Sequence, residues 1–491
     1  MMDQENELPD GWVLATLGEV CATIKGKKPK DTGDKSIERV TPYINIKTFE
    51  TKNIGIYASS GNYPECKPND ILIVWDGARA GLIGRGVSGY IGSTLAKVFS
   101  KTLTDTYLFY FLIFQYGYIN TNTKGVGIPH VDPTIFFNIE VPVPPSAEQH
   151  RIVAEIEKQF SRLDEAVAGL KRIQINLKRY RASVLKSAVE GKLTAEWRKQ
   201  HSNIEPAEQL LQRILKERRA HWEQAELRKM QAAGKPPKDE LWKQKYKEPV
   251  APDVSELPAL PEGWVWATPE QLASINNYSL AIGPFGSNLK VSDYCQEGVP
   301  LIFVKNIRSK SFDGKNTKYV SETKSYELTP HKVNPGDILI TKMGEPPGDA
   351  CLYPLNCTPA IITADCIKWK LAPILNNVFF FIHAINSQSL KLQIQKITKG
   401  VAQQKISLGR FKSLAIPLPS LQEKTQIVSE VERRLSIADE VEQQINTNLK
   451  RAERMRQAIL KKAFSGRLVP QDPDDEPASV LLEKIKQGQR A

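Results

Sequence analysis

Two stretches of the chain carry apolar side chains at a spacing typical of long helices. In the first stretch these residues step by three and four positions, with polar Gln174 and Arg181 in two of the gaps. An average step of about 3.5 positions predicts a coiled-coil seam rather than a plain amphipathic face. The apolar positions are Ile156, Phe160, Leu163, Val167, Leu170, Leu177, Val184 and Ala188 in the first stretch, and Val431, Leu435, Ala438, Val441, Ile445, Leu449, Ala452, Ile459 and Ala463 in the second.

The two stretches are copies of one another. Residues 142–193 align with residues 417–468 without a gap, so that Glu148 matches Glu423 and Gly191 matches Gly466. A gapless match of this length indicates an internal duplication. We therefore expect whatever the first copy builds to be built a second time.

Signals for a helix start and stop flank each copy. A Pro-x-Pro pair prevents helix upstream, and Ser146 with Gln149 has the spacing of a capping box. Gly191 and Gly466 lie where a helix C-terminus is expected. About forty helical residues would span roughly 60 Å. Two ordinary core helices are the simpler alternative, but length, seam and duplication favour two rods that pack on each other antiparallel.

A globular segment precedes each rod. Leu8–Val13 reads LPDGWV and Leu260–Val265 reads LPEGWV, so the duplication covers the whole unit. Each motif is followed by short β-like runs between Gly, Asn and Pro signals, and then by a helix. The predicted strands are Pro42–Ile46, Asp70–Trp75, Thr94–Phe99, Leu301–Ile307 and Asp337–Thr341, and the predicted helices are Asp105–Tyr118 and Asn377–Ile397.

Composition agrees with a protein of several domains that has no membrane segment. The chain has 491 residues, with 41% hydrophobic and 25% charged residues, too long for a single core. The N-terminus, MMDQENELPD, is polar and unlike a signal peptide, and six scattered cysteines form no CxxC pair. These features predict a cytoplasmic protein with free thiols. The net charge of +12 and a pI near 9.2 allow nucleic acid as a partner.

Motifs for catalysis are absent from the sequence. There is no G-x-x-x-x-G-K-[ST] loop, no G-x-G-x-x-G after a strand and no amino-methyltransferase motif, and the six histidines form no pair at metal spacing. Asp70 and Asp337 match across the repeats and could suggest nuclease carboxylates. Their place in a PxDILI motif favours the alternative, a side chain that caps a turn. We expect no catalytic residue, no metal site and no bound cofactor.

These features together resemble the specificity subunit of type I restriction–modification systems. The resemblance rests on two divergent heads, two repeated long helices, the LP(D/E)GWV motifs and the (V/I)P(V/L)P helix starts, and it covers essentially the whole chain. It implies an α+β fold: two mixed α/β target-recognition domains joined by two long antiparallel coiled-coil helices, with the internal duplication arranged about a pseudo-two-fold axis. The implied segments are target-recognition domain 1 (1–141), long helix (142–194), charged and partly helical linker (195–259), target-recognition domain 2 (260–416), long helix (417–468) and C-terminal tail (469–491).

The resemblance also implies partners and a division of labour. Each head would read one half of a split target in double-stranded DNA, and the helices would set the spacer and dock two methyltransferase subunits. Two restriction and motor subunits would join through the methyltransferase core. S-adenosylmethionine, ATP and magnesium would belong to those partners, which agrees with the missing catalytic motifs.

Candidate DNA contacts follow from the residue types that bind phosphates and base edges. Each candidate could instead be a solvated surface residue, and the basic residues of the rods (Lys171, Arg172, Lys178, Arg179, Arg181, Arg451, Arg454 and Arg456) could face solvent, the DNA spacer or a partner subunit. Glycines around Arg79 and Arg85 suggest a backbone that approaches a ligand closely. The candidates are Lys25, Lys27, Lys28, Arg79, Arg85, Lys124 and His130 in head one, and Lys305, Asn306, Arg308, Lys310, Lys342, Lys399, Gln403, Gln404, Lys405 and Arg410 in head two.

Two other classes of function stay open at this point. A coiled-coil assembly scaffold without sequence readout would show no preference among DNA sequences. An enzyme, for instance a fused methyltransferase–specificity chain, would transfer methyl groups by itself, although no cofactor motif supports it.

Overall fold

The structure is a computed structural model that describes residues 8–125, 127–308, 311–399 and 404–488. The chain divides into two compact units, Met1–Arg172 with Gln444–Ala491, and Ile173–Gln443. Each unit contains one head and a part of each long helix. Within the described residues, no helix has the length and apolar character needed to cross a membrane.

The described residues of head one form three sheets. A two-stranded sheet pairs β1 with β11, a four-stranded sheet has the order β2-β10-β7-β8, and a five-stranded sheet has the order β3-β5-β4-β9-β6. The elements are β1 Val13–Thr16, α1 Leu17–Val20, β2 Cys21–Lys25, β3 Thr32–Gly33, β4 Arg39–Ile44, α2 Ile46–Thr51, β5 Tyr57–Ser59, β6 Glu65–Cys66, β7 Ile71–Val74, β8 Ile83–Arg85, β9 Gly89–Ile91, β10 Leu95–Ser100, α3 Asp105–Thr121, α4 Pro133–Phe137 and β11 Glu140–Val143.

The long helix α5, Ser146–Val189, follows head one, and the linker then forms α6, Ala195–Gln200, and α7, Ala207–Ala232. Head two comes next. Its elements are β12 Val265–Ala267, α8 Pro269–Leu272, β13 Leu280–Ile282, β14 Tyr294–Cys295, β15 Val299–Ile302, β16 Tyr319–Val320, α9 Glu322–Glu327, β17 Lys332–Val333, β18 Ile338–Thr341, β19 Ala350–Leu352, β20 Ala360–Ile362, β21 Cys366–Trp369, α10 Phe379–Asn386, α11 Gln388–Ile397, α12 Leu408–Lys412 and β22 Ile416–Leu418. The second long helix α13, Leu421–Phe464, and the tail helix α14, Ala478–Gly488, complete the chain.

Head two repeats the topology of head one strand for strand. Its sheets have the orders β12-β22, β13-β21-β18-β19 and β14-β16-β15-β20-β17. The parallel pair β4–β9 of head one corresponds to the parallel pair β15–β20 of head two. The heads therefore share one fold, although their sequences match only in short motifs.

The matched aspartates of the PxDILI motifs cap turns. The Asp70 carboxylate accepts a hydrogen bond from the Lys67 amide at 2.7 Å, and Asp337 accepts one from the Asn334 amide at 2.8 Å. Each turn leads into a strand whose residues are all buried, Ile71–Val74 or Ile338–Thr341. The turn interpretation is confirmed for both residues.

The long helices end as predicted. Gly191 and Gly466 have φ of +65° and +68°, and the amide of the next residue donates back to the last turn of each helix, Lys192 to Ser187 and Arg467 to Lys462, both at 2.9 Å. This left-handed C-terminal motif favours glycine.

The helix start differs from the prediction in the first copy. Ser146 is the first helical residue, and the Gln149 amide accepts from the Thr104 amide at 2.8 Å and donates to the Pro144 carbonyl. The predicted capping box is therefore not formed there. In the second copy Ser420 caps the helix, accepting from the Glu423 amide at 3.1 Å.

The repeated LPxGWV motif anchors each head to a long helix. The Trp12 indole donates to the buried Glu148 carboxylate at 2.9 Å, and the Trp264 indole donates to the matched Glu423 at 2.8 Å. A buried carboxylate is costly unless it is hydrogen-bonded. Gln471 supplies a further donor to Glu148, at 2.8 Å.

Glu423 receives its further donors from the start of the linker. The Arg198 guanidinium donates at 2.7 Å and the Thr194 hydroxyl at 2.7 Å. The motif thus recurs because each helix start buries a carboxylate that needs an indole donor.

The tail completes the first unit as the linker completes the second. The Ala478 amide donates to the Gly11 carbonyl at 2.9 Å, and the matched Ala207 amide donates to Gly263 at 2.9 Å. Arg151 and Asp475 add an ion pair at 2.6 Å. The similarity between the linker and the tail therefore reflects one repeated packing contact.

The long helices pack antiparallel in each unit. In the first unit Arg456 of α13 pairs with Asp164 of α5, and its guanidinium lies 4.8 Å from the Phe160 ring centroid. In the second unit Arg181 of α5 pairs with Asp439 of α13 at 2.7 Å. Arg181 matches Arg456 and Asp164 matches Asp439, so the duplication repeats the ion pair with the helices exchanged. Two of the basic residues on the rods thus bind the neighbouring rod.

One predicted helix is interrupted. The stretch 377–397 forms α10 and α11, separated at Ser387, whose backbone is extended. The Ser387 hydroxyl accepts from the Leu390 amide and donates to the Ala384 carbonyl. This local bonding competes with a continuous helix.

Candidate nucleic-acid interface

In head one, a short hairpin bridges onto the end of β7. The Lys124 and His130 backbones exchange hydrogen bonds of 2.9 and 2.8 Å, and His130 also forms a β-bridge with Asp76. The Gly77 amide donates to the Pro129 carbonyl at 2.7 Å. These bonds fix the loop over the carboxyl end of a buried strand.

Charged side chains surround this hairpin. Lys25, at the end of β2, pairs with Asp76 at 3.0 Å, and Lys124 pairs with Asp132 at 2.9 Å. The Lys124 ammonium holds the pKa of Asp132 below its usual value. Three predicted contacts, Lys25, Lys124 and His130, therefore belong to one cluster.

Head two forms the same backbone pairing, with Lys399 at the position of Lys124 and Lys405 at the position of His130. The Lys399 and Lys405 backbones exchange hydrogen bonds of 3.2 and 3.0 Å, and Lys405 bridges to Met343. Ser407 caps α12 as Asp132 caps α4. Gln403 lies outside the described residues.

A cleft of about 480 Å³ opens beside this hairpin. Lys342 forms its floor: the residue is buried, and its ammonium donates to the Ala364 carbonyl at 2.9 Å. Burial lowers the pKa of Lys342. The lining residues include Ile282, Phe285, Lys342, Lys399, Lys405 and Arg410. Lys399 and Lys405 are exposed in this concave surface and suit a polyanion such as a phosphate backbone, whereas the Arg410 guanidinium donates to the Ile397 carbonyl at 3.0 Å.

The other predicted contacts of head one are spread over its surface. Lys27 and Lys28 are exposed in the loop after β2, and Arg79 forms an ion pair with Glu50. Arg85 lies within the fold: its guanidinium donates to the Asn69 carbonyl at 2.8 Å and stacks on the Phe109 ring at 4.1 Å. Arg85 thus has internal partners that its sequence neighbours do not reveal.

The glycines near Arg79 and Arg85 serve the packing of the head itself. The expectation that they let the backbone approach a ligand was therefore wrong. A Cβ atom at Gly81 would lie 2.8 Å from Ile119, and one at Gly84 would lie 2.8 Å from Phe49. The close approach is to side chains of the same head, which leaves no need for a ligand to explain it.

In head two, Asn306 is a buried loop residue. Its amide donates to the Asp313 carbonyl at 2.7 Å and accepts from the Phe303 amide at 2.8 Å, which leaves it inside the fold. Lys305 is exposed and donates to the Asn316 carbonyl at 2.7 Å. Of the remaining candidates, Arg308 is exposed, Gln404 is half-buried in the hairpin, and Lys310 lies outside the described residues.

The two hairpin regions place different chemistry on one backbone frame. Gly26 and Gly283 occupy the same place, because a Cβ atom on either would lie about 2 Å from the backbone of the adjacent strand, β9 or β20. Two positions further on, head one has Lys28 and head two has Phe285. Phe285 has no charge and is not among the candidates from the sequence, but it lines the cleft of head two.

Comparison with known proteins gives the family. The sequence model described as "Type I restriction modification DNA specificity domain" matches residues 9–177 and 303–451, more than half of the chain. The chain belongs to the family of type I restriction–modification DNA specificity proteins. Both heads and both long helices fall at least partly within the matched residues.

Two relatives from Escherichia coli align with nearly the whole chain, and one from Methanocaldococcus jannaschii aligns with part of it. The EcoKI specificity subunit of Escherichia coli strain K12 is 25% identical over 98% of this chain and 96% of its own. The EcoBI specificity subunit of Escherichia coli is 25% identical over 97% and 92%. The MjaVIII specificity subunit of Methanocaldococcus jannaschii is 32% identical over 39% of this chain and 48% of its own.

A solved structure shares the fold of this chain. It is described as the structural basis of complex assembly and conformational transition of the type I R-M system, and it matches with a TM-score of 0.58 at 16% identity. The match covers 94% of this chain and 99% of that chain. Homologues of the chain are specificity subunits, which are not enzymes, so catalysis in such a system lies in partner subunits.

Proposed function

We propose that this specificity subunit recognises a bipartite target in double-stranded DNA, with each head recognising one half. The observation that carries the proposal is the repeated hairpin, which places Lys124 and His130 in one head where Lys399 and Lys405 stand in the other. A shared frame with different side chains suits two different half-sites.

The clustered cations support DNA as the ligand. Lys342, Lys399, Lys405 and Arg410 line one cleft of head two, and Lys25 and Lys124 flank the hairpin of head one. Lysine and arginine at such a surface neutralise phosphates and place neighbouring side chains in the groove. The candidate contacts in and beside the two hairpins are therefore proposed to face DNA.

We assign two roles to the long helices. Half-sites about one helical turn, ~34 Å, apart call for a spacer of defined length, and a helix defines length better than a flexible linker. The helices also carry exposed apolar side chains, which suit contact with partner subunits: Ile173, Ile175, Tyr180, Ile437 and Met455. Two methyltransferase subunits would dock there, and two restriction and motor subunits would join through them.

The chemistry would belong to those partners in the cytoplasm. Methyl transfer to adenine would use S-adenosylmethionine, and DNA cleavage would use ATP and magnesium, none of them bound by the specificity subunit. Its own contribution is to select the sequence on which these reactions take place.

Genome-wide mapping of methylated adenines tests the proposal. The chain is produced with its methyltransferase partner, and methylated positions are identified by single-molecule sequencing. We expect one motif made of two short half-sites separated by a fixed number of unspecified bases. A complex that forms and methylates without any motif would support the scaffold alternative, and methyl transfer by the isolated chain would support an enzyme.

A further inference from the structure

We propose that Phe285 contacts a base of the second half-site by packing against the 5-methyl group of a thymine. This inference rests on the proposed function and deepens it. Phe285 has neither the charge nor the amide group of the side chains that most often contact DNA. It lies in the same cleft as Lys342, Lys399 and Lys405.

The ring of Phe285 is exposed to solvent rather than packed in the core. The residue is 60% exposed, and the Lys342 ammonium lies 4.9 Å from its ring centroid. Single exposed apolar side chains are common on protein surfaces, but this ring lies in a cleft that Lys399 and Lys405 also line, where a bound ligand would cover it.

The backbone that carries the ring is held in place before any ligand binds. A Cβ atom at Gly283 would lie 2.1 Å from the backbone of Thr363, so the loop rests directly on the end of β20. Pro284 fixes the backbone next to it, and the Phe285 carbonyl accepts from the Asn288 amide at 3.0 Å. A contact residue held in this way loses little freedom on binding.

The chemistry of DNA limits what the ring can contact. Phosphates and base edges offer charges and hydrogen-bonding groups, for which a phenyl ring is a poor partner. In the major groove the 5-methyl group of thymine is the apolar feature, and phenylalanine is among the side chains that contact it. With the exposed Lys399 and Lys405 beside it to bind phosphates, Phe285 is left to contact the base.

The matched residue of head one, Lys28, sharpens the inference. A lysine at this place adds a salt-dependent phosphate contact or a contact to guanine. A phenylalanine adds a contact that is insensitive to salt. The two heads therefore differ here in the kind of recognition as well as in its target.

The test uses the complex of the full chain with its methyltransferase partner and a duplex that carries the methylated motif. Each thymine of the second half-site is replaced in turn by deoxyuridine, which removes only the methyl group. At one position we expect affinity to fall about fourfold, the factor that corresponds to about 0.8 kcal/mol for one buried methyl-sized group. Phe285→Ala should weaken binding about tenfold, with the dependence on salt unchanged.

The double substitution isolates the contact. In the Phe285→Ala complex, deoxyuridine at that position should cause no additional loss, because the partner of the methyl group is already gone. Tyr326→Ala is the matched control: Tyr326 is 74% exposed in the same head and does not line the cleft. Deoxyuridine in the first half-site should change the affinity of the wild type and of Phe285→Ala by the same factor.

Three results would overturn the inference: tolerance of deoxyuridine at every thymine of the second half-site, additive losses in the double substitution, or wild-type affinity of Phe285→Ala. Insertion of the ring between base pairs would make the two losses additive, because Phe285→Ala would then weaken binding whether or not the thymine carries its methyl group. Failure of the proposed function is distinct, because no bipartite motif would then exist from which to choose the duplex.

Discussion

At the scale of single residues, the most informative side chains are the two buried carboxylates at the helix starts. Glu423 accepts from Trp264, Arg198 and Thr194, whereas Glu148 accepts from Trp12 and Gln471. Burial raises the pKa of Glu148. The repeated tryptophan is thus explained by the hydrogen bond it gives to a buried acid.

Removing one indole donor should destabilise its own unit. Trp264→Phe leaves Glu423 with one donor fewer and also removes part of a buried ring, at a cost of at least about 1–3 kcal/mol in the free energy of unfolding. Urea denaturation measures it, and Tyr326→Phe, at an exposed ring of the same unit, is the control. Equal stability of the two variants would contradict the anchoring role of Trp264.

The lysines of the second hairpin should act through phosphate contacts. For Lys405→Ala or Lys399→Ala in the complex, we expect weaker binding to all sequences and a salt-dependence slope about one unit shallower per lysine. Lys324→Ala is the control, since Lys324 pairs with Glu327 at 2.7 Å outside the cleft. An unchanged slope in both hairpin variants would remove the hairpin from the DNA interface.

A buried lysine gives the second unit a particular pH dependence. Lys424 is fully buried, and burial lowers its pKa from 10.5 to about 8. The unfolded chain therefore binds more protons between pH 8 and pH 10.5, and this contribution to stability rises with pH in that window and is flat below it.

The matched residue in the first copy provides the variant that tests this. Lys424→Gln places there the side chain that Gln149 has in α5. The melting temperature of the wild type relative to Lys424→Gln should rise from pH 8 to pH 10, while groups common to both proteins cancel. A constant difference would show that Lys424 keeps an ordinary pKa.

At the scale of elements, the repeated helices were the part most predictable from sequence. Apolar spacing, the gapless repeat and the terminal glycines gave both helices to within a few residues, because each of these signals is local. The strand orders of the two heads depend on pairing between distant residues, and no local signal specifies it. Likewise the break at Ser387 depends on whether one hydroxyl bonds the backbone or faces water.

In the candidate site, too, the sequence identified residue types but not their contacts with distant residues. The structure brings the candidates Lys25, Lys124 and His130 into one cluster, which the sequence did not predict because Lys25 is distant from the other two along the chain. Arg85 and Asn306 turned out to have partners inside the fold, which only the folded chain brings near.

The terminal glycines of the rods should be intolerant of a side chain. A Cβ atom at Gly466 would lie 2.1 Å from the Pro9 ring, in addition to the strain of a φ of +68°. Gly466→Ala should lower the free energy of unfolding of the first unit by about 1–3 kcal/mol. Gly234→Ala is the matched control, because Gly234 has a φ of +67° and open space around it. If the two variants lose the same stability, the contact with Pro9 contributes nothing.

At the scale of the whole molecule, the chain is one unit built twice, with each copy completed by residues from the other. The first unit includes residues 444–491, whose Ala478 and Asp475 contact Gly11 and Arg151. We expect removal of residues 476–491 to increase hydrogen exchange in head one and to leave head two unchanged. Equal protection of head one in the truncated protein would contradict the structural role of the tail.

The central claim is that each head recognises its own half of one bipartite target. The most direct measurement is the methylation motif of the chain, produced with its partner, before and after residues 1–141 are replaced by the corresponding head of a related specificity subunit. The account predicts that one half-site changes while the other half-site and the spacer stay as they were. A motif in which both halves change together, or neither does, would contradict it.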